Sequence, residues 1–130
     1  MQPNTTITGY SRVLDGPAGV DPRGGHNRET VAVAIPIPAR VEALSSFARA
    51  NLQIAADANA RRVMVTDAAL WAIGVVPKNH DRVTVQDQLG PRVMEIVAAE
   101  PPVGVHAGSL RNWKLVLVEC AADVGAGDGT

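Results

Sequence analysis

Between Arg82 and Ala98 the chain reads RVTVQDQLGPRVMEIVA. Val83 and Val85 alternate with Arg82, Thr84 and Gln86, the period of a strand with one buried face. Asp87 to Pro91 (DQLGP) supplies turn residues, and Arg92 to Ala98 returns as a second strand, so the stretch reads as a β-hairpin. Val93 and Ile96 fall out of phase on the returning strand, which points to a bulge between them.

Toward the C-terminus, Glu100 to Leu110 reads as a loop. Arg111 to Cys120 (RNWKLVLVEC) is a last strand with Trp113, Leu115 and Leu117 on one face. Trp113 is assigned to the core over an interface role. Ala121 to Thr130 is Gly-rich and has no large apolar residue, the composition of a flexible tail. The folded domain is therefore expected to cover residues 1–120, with the tail at 121–130.

Toward the N-terminus, Arg61 to Thr66 (RRVMVT) is a strand, and Asp67 to Gly74 is either a short helical turn or its continuation. Ser45 to Ala60 (SSFARANLQIAADANA) fits a helix capped by Ser45 or Ser46, with Phe47, Ala50, Ile54 and Ala58 as its stripe. It also fits a strand by strict alternation. Its alanine content favours a helix at about 46–59. In Arg28 to Leu44, Val31, Val33, Ile35 and Ile37 share one face with period two. Pro36 and Pro38 cannot donate to a ladder, so this strand lies at an edge or bulges and turns there. Leu14 to Asn27 (LDGPAGVDPRGGHN) holds four Gly and two Pro, which break helix and central strand alike, and reads as a long surface loop. Thr6 to Val13 is a first strand. Short strands without regular β-α alternation give a mainly β fold, a small barrel of five or six antiparallel strands with long loops and one short helix. Its buried residues are expected to include Val31, Val33, Ile35, Val83, Val85, Val93, Ile96, Leu115 and Leu117.

The chain of 130 residues is 46% apolar and 19% charged, the composition of one globular domain. Its formal charge of −1 excludes a polybasic nucleic-acid or membrane-surface protein. One cysteine, Cys120, excludes an intrachain disulfide framework and a thiolate zinc site. The uncharged apolar stretches Val31 to Ala39 and Ala68 to Pro77 fall well short of the ~20 residues of a spanning helix. No signal peptide is read at the N-terminus.

No G-x-S-x-G elbow or phosphate-binding loop is present. His26, His80 and His106 stand apart from one another. His80-Asp81 offers one imidazole and one carboxylate for an ion, but a polar strand start is the favoured reading. No enzymatic activity, no metal and no cofactor are expected. Four aromatic residues are too few for a base-stacking surface. Arg61-Arg62, the single basic doublet, has the pattern of a solvated strand end.

The order of pieces is more specific than any one of them. DPRGGHNRET leads into a strand ending ARVEALSS; later come HDRVTVQDQLGPRVMEIVAAEP and HAGSLRNWKLVLVE. This order resembles the head–tail stopper, or head-closure, proteins of long-tailed phages and gene transfer agents. Those proteins show a D-x-x-G-G loop, an A-R-V-E-P-L-S strand, a D-R-V-x-V-x-G-x-x-Y-E-V hairpin and a Trp-containing last strand ending K-x-x-L. The match spans Asp21 to Glu119. Met94 stands where an aromatic is common, and Ser45 to Trp71 is longer than the pattern.

The resemblance implies a β-barrel that assembles as a homo-oligomeric ring between the portal-side adaptor and the tail terminator or tail tube. The ring would close the head channel after packaging. Double-stranded DNA would pass through its lumen without sequence-specific binding, and no membrane would be involved. The expected location is the virion neck, after assembly in the host cytoplasm. Subunit or lumen contacts are then expected from Arg23 and His26 in the first loop and from Phe47, Arg49, Asn51, Asp57 and Asn59 in the 45–60 segment. Arg61, Arg62 and His106 complete the candidates. A different head–tail adaptor component, or a monomeric barrel that binds a peptide, small molecule or nucleic acid, remains the alternative.

Overall fold

The computed structural model describes residues 2–54, 58–87, 90–102 and 112–120. The strands are β1 (Thr5–Val13), β2 (Arg28–Val31), β3 (Ile37–Ala43), β4 (Ala60–Thr66), β5 (Arg82–Asp87), β6 (Gly90–Glu100) and β7 (Asn112–Glu119). Two short helices, α1 (Ser46–Asn51) and α2 (Asp67–Ala72), and one 3-10 turn (Gly16–Gly19) join them. Every pairing is antiparallel, in the order β2-β1-β3-β4-β7-β6-β5, and β5 closes back on β1. The architecture is a closed six-stranded barrel with β2 as an additional strand. It consists of two three-stranded meanders, β1-β3-β4 and β5-β6-β7, joined along both edges. Closure removes the edges that an open sheet would leave unpaired.

The strand read from Arg28 to Leu44 divides in two along the same side of β1. Val31 faces Tyr10 and Ile37 faces Ile7, so the five residues 32–36 oppose only Thr8 and Gly9. The three surplus residues must loop outward, and Pro36 has no N–H to lose there. Ile35, expected in the core, is therefore 79% exposed, whereas Ile37 is buried. Val31 and Val33 pack against the core only in part.

β1 carries its own irregularity against β5, between Ile7 and Gly9, which lets Ile7 and Tyr10 both point inward although three residues apart. Gly9 suits this approach: a Cβ there would lie 2.9 Å from the Thr84 hydroxyl oxygen. The β6 bulge falls between Ile96 and Ala98, not between Val93 and Ile96. Met94 and Ile96 are thus the buried pair, and Val93, expected inside, is 46% exposed. Val83, Val85, Leu115 and Leu117 fill the interior as expected, together with Val63, Val65 and Leu70.

Ser45 caps α1 by accepting from the Ala48 N–H at 3.1 Å. The helix ends at Asn51, well short of residue 59, where Leu52 leaves helical geometry and Gln53 takes a φ of 57°. None of its six residues is buried, so no apolar stripe holds a longer helix against the barrel. Of the two readings of residues 67–74, the helical turn is the one formed, as α2, with Thr66 as the cap, its hydroxyl accepting from Ala69 N–H at 3.3 Å. Leu70 is buried beneath α2, and Gly74 stops it at a φ of 76°. Trp113 packs partly against the core, and its indole N–H donates to Asp67 at 2.9 Å. Residues 14–27, expected to lack regular structure, contain the 3-10 turn and a bridge between Val20 and His26. The expected tail at 121–130 and most of the 100–110 loop lie outside the described residues.

Candidate functional site

The strand directions sort the candidate residues to opposite ends of the barrel. β4 starts beside α1 and runs into α2, so α1 and the start of β4 lie at one end. The 14–27 loop, α2 and the start of β5 lie at the other. Arg23 and His26 therefore belong to one end, and Phe47, Arg49, Asn51, Asn59 and Arg61 to the other. Asp57 and His106 lie outside the described residues.

At the loop end, Arg23 is exposed in a turn and donates its backbone N–H to Asp21 at 3.0 Å. His26 stacks on His80, with ring centroids 4.2 Å apart and planes 18° from parallel. Glu95 beneath them accepts from Arg28 at 3.1 Å and Arg82 at 3.3 Å, and its other oxygen lies 3.4 Å from His80 Nδ1. This network clamps the loop to β5 and β6. Stacked face to face, the imidazoles do not converge on a common point. Among the described residues no group of three His, Cys, Asp or Glu is placed for a metal ion.

The neighbouring Asp81 is the feature that sequence reading missed. Read as a polar strand start, it is fully buried. Its carboxylate accepts from the Tyr10 hydroxyl at 2.5 Å, from Val13 N–H at 2.8 Å and from Lys78 N–H at 3.3 Å. Its backbone carbonyl accepts from Ile96 N–H at 2.8 Å. One residue thereby ties β1 and the α2–β5 connection to β6. Tyr10 lies 71 positions away, and no local pattern announces such a partner.

Burial first, and the hydrogen bond to Asp81 second, push the Tyr10 hydroxyl far above the usual phenol value. Below pH ~10 folded and unfolded chains both keep this proton, and the stabilisation is fully present. Above it the unfolded chain releases the proton while the folded one holds it, so stability falls as pH rises. Tyr10 is the only tyrosine, which makes the test direct. In an alkaline titration, phenolate absorbance should emerge only as the far-ultraviolet circular dichroism of the fold is lost. Ionisation near pH ~10 in an intact fold would contradict the buried hydrogen bond.

At the other end the barrel opens in a cleft of about 250 Å³. Val41, Val63, Val85 and Met94 supply its apolar lining, and Asn4, Thr5, Asn59, Arg61, Gln86 and Arg92 its polar lining. Arg92 pairs with Glu119, which also accepts from Asn59 Nδ2 at 3.1 Å. The buried Asn59 Oδ1 has no partner among the described residues. Arg61 is exposed and donates to the Ala60 carbonyl, and Arg62 is exposed on the neighbouring position of β4. Arg49 reaches from α1 to the Ala58 carbonyl at 2.9 Å, tying the helix to the start of β4. Phe47 is 76% exposed, so it does not plug the mouth. Asn51 is exposed at the end of α1.

The structure thus brings Asn59 and Arg61 together at the cleft and leaves Arg23 and His26 at the far end. The other cleft residues come from five strands and the N-terminal segment, and none carries a sequence motif. Thr5 marks its edge by donating to the Gln86 carbonyl across the β1–β5 seam. Trp71, on α2, is 81% exposed. Among the described residues no helix is long and apolar enough to cross a membrane. Comparison of the chain with models of known families, with curated proteins and with solved structures finds no match.

Proposed function

We propose that this chain is a connector subunit of the phage neck, assembling as a ring that closes the head channel after packaging and docks the tail. The observation that carries the proposal is the correspondence between the resemblance and the barrel wall. ARVEALSS covers the end of β3 and the Ser45 cap of α1, DRVTVQDQLGPRVMEIVAAE covers β5 and β6, and NWKLVLVE is β7. Three of the four pieces that carry the resemblance therefore fall on strands of the closed barrel, whereas DPRGGHNRET covers the loop before β2 and most of β2 itself.

A near-neutral subunit suits a DNA channel, because a strongly basic lumen would hold phosphate and oppose ejection. Loops and helices at both barrel ends supply surfaces for neighbours, for the portal-side adaptor and for the tail. Such a protein would work in the virion neck, without enzymatic activity. The cleft at the barrel mouth supports a second reading, a monomeric barrel that binds a peptide or small molecule there.

Removing the gene in frame from its parent genome separates the two. A connector subunit predicts DNA-filled heads that leak their contents, together with unattached tails. Normal tailed particles would overturn the neck role. A narrower variant lacking Asn51 to Asn59 tests the α1 end. It should fold, yet fail to join heads to tails, if that end makes the docking contact.

A further inference from the structure

Trp71 is the most exposed large apolar side chain of the described residues, and Val76, just beyond α2, is 75% exposed. Tryptophan is enriched among the residues that dominate protein interfaces. The cleft lies at the opposite end of the same strand. From Arg61 to Thr66 β4 runs about 16 Å at ~3.3 Å per residue, so no copy can seat its own Trp71 in its own mouth.

We propose that Trp71 of one copy seats in the mouth of a second copy, joining identical barrels head to tail. The cleft, at about 250 Å³, is smaller than the roughly 300–1,000 Å³ of pockets that take drug-sized ligands, and suits one bulky side chain. Its apolar lining of Val41, Val63, Val85 and Met94 matches the indole, and Arg61 on the polar side can stack on an aromatic face.

The charges also match. Arg61 and Arg62 lie exposed at the mouth end, where Arg92 is paired with Glu119, whereas the one charged residue of α2 is Asp67 in its first turn. Such an arrangement steers α2 of one copy toward the mouth of another. The two surfaces differ, so the contact is heterologous, the type that closes a ring when its rotation permits. The inference deepens the connector reading by naming the contact that joins its subunits.

The test places the photocrosslinker p-benzoylphenylalanine at position 71 of the full chain, irradiates it over a range of concentrations and maps the products by mass spectrometry. Sedimentation of the unlabelled protein, Trp71→Ser and Arg61→Glu accompanies it. The expected result is crosslinking between copies to peptides holding Val63, Val85 or Met94. Trp71→Ser should weaken self-association about 100-fold, the scale of an interface hot spot, with an unchanged circular dichroism spectrum. Arg61→Glu should weaken it less. Copies that associate but crosslink elsewhere would overturn this contact and leave a ring built through another surface. A chain that stays monomeric at millimolar concentration would also overturn it, and the gene-removal experiment then decides the neck role independently.

Discussion

Asp81→Ala is expected to destabilise the fold by about 3–5 kcal/mol, because it leaves the Tyr10 hydroxyl and two backbone N–H groups without their acceptor at ~1–3 kcal/mol for each buried group. Asp81 is fully buried, and its carboxylate receives Tyr10, Val13 and Lys78. Water cannot take its place without opening the junction of β1 with the α2–β5 connection. Tyr10→Phe removes one of the three donors and should cost about 1.5–3 kcal/mol, as for a hydrogen bond to a charged group. If the alanine variant does not accumulate as folded protein, the phenylalanine variant still measures the bond. Urea unfolding of both, and of the double variant, gives their coupling. A loss under ~1 kcal/mol for Asp81→Ala would mean that the carboxylate does not hold the barrel together.

Leu115→Ala should cost about 2–5 kcal/mol through lost burial and the cavity left behind. Leu115 is fully buried on β7, opposite Val63 of β4 and Ala99 of β6, so three wall strands meet at its position. These strands are hydrogen-bonded on both sides and cannot collapse far into the space. Val93→Ala is the matched control. Val93 lies on the outer side of β6 at 46% exposure, and its truncation should stay within about 0.5 kcal/mol. Equal losses at the two positions would contradict the register of β6 and β7.

The contrast between these two residues also shows how far the sequence was legible. Alternation located nearly every strand, because a one-sided buried wall imposes a period of two. It placed Val83, Val85, Leu115 and Leu117 correctly, since β5 and β7 keep one phase inside. Alternation fails where the chain bulges. The surplus of three residues between β2 and β3 shifts the phase without changing composition, so Ile35, expected inside, lies outside. Val93, expected inside on a bulge before Ile96, lies outside because β6 keeps one phase from Val93 to Ile96 and bulges only after it. The proline pair did announce the break after β2, but not which apolar residue it would expose.

The helical signal at residues 45–60 was right in its cap and wrong in its length. Alanine propensity favours extension, whereas tertiary burial, which sustains a short helix, is missing under α1. The functional ends were less legible than the wall. The cleft joins residues as far apart as Asn4 and Met94, and the Asp81 junction joins residues 71 positions apart. Such sites arise from closure of the barrel, and no local spacing encodes them. His26 was singled out as a lone histidine in a loop, and its stacking partner His80 came from another element for the same reason.

Electron cryomicroscopy of the necks of tailed particles produced from the parent genome tests the proposed role most directly. The expected density is a ring of six-stranded barrels between the portal-side adaptor and the tail, with side chains that trace β5, β6 and β7 of this chain. A neck whose density is fully accounted for by other chains would contradict it.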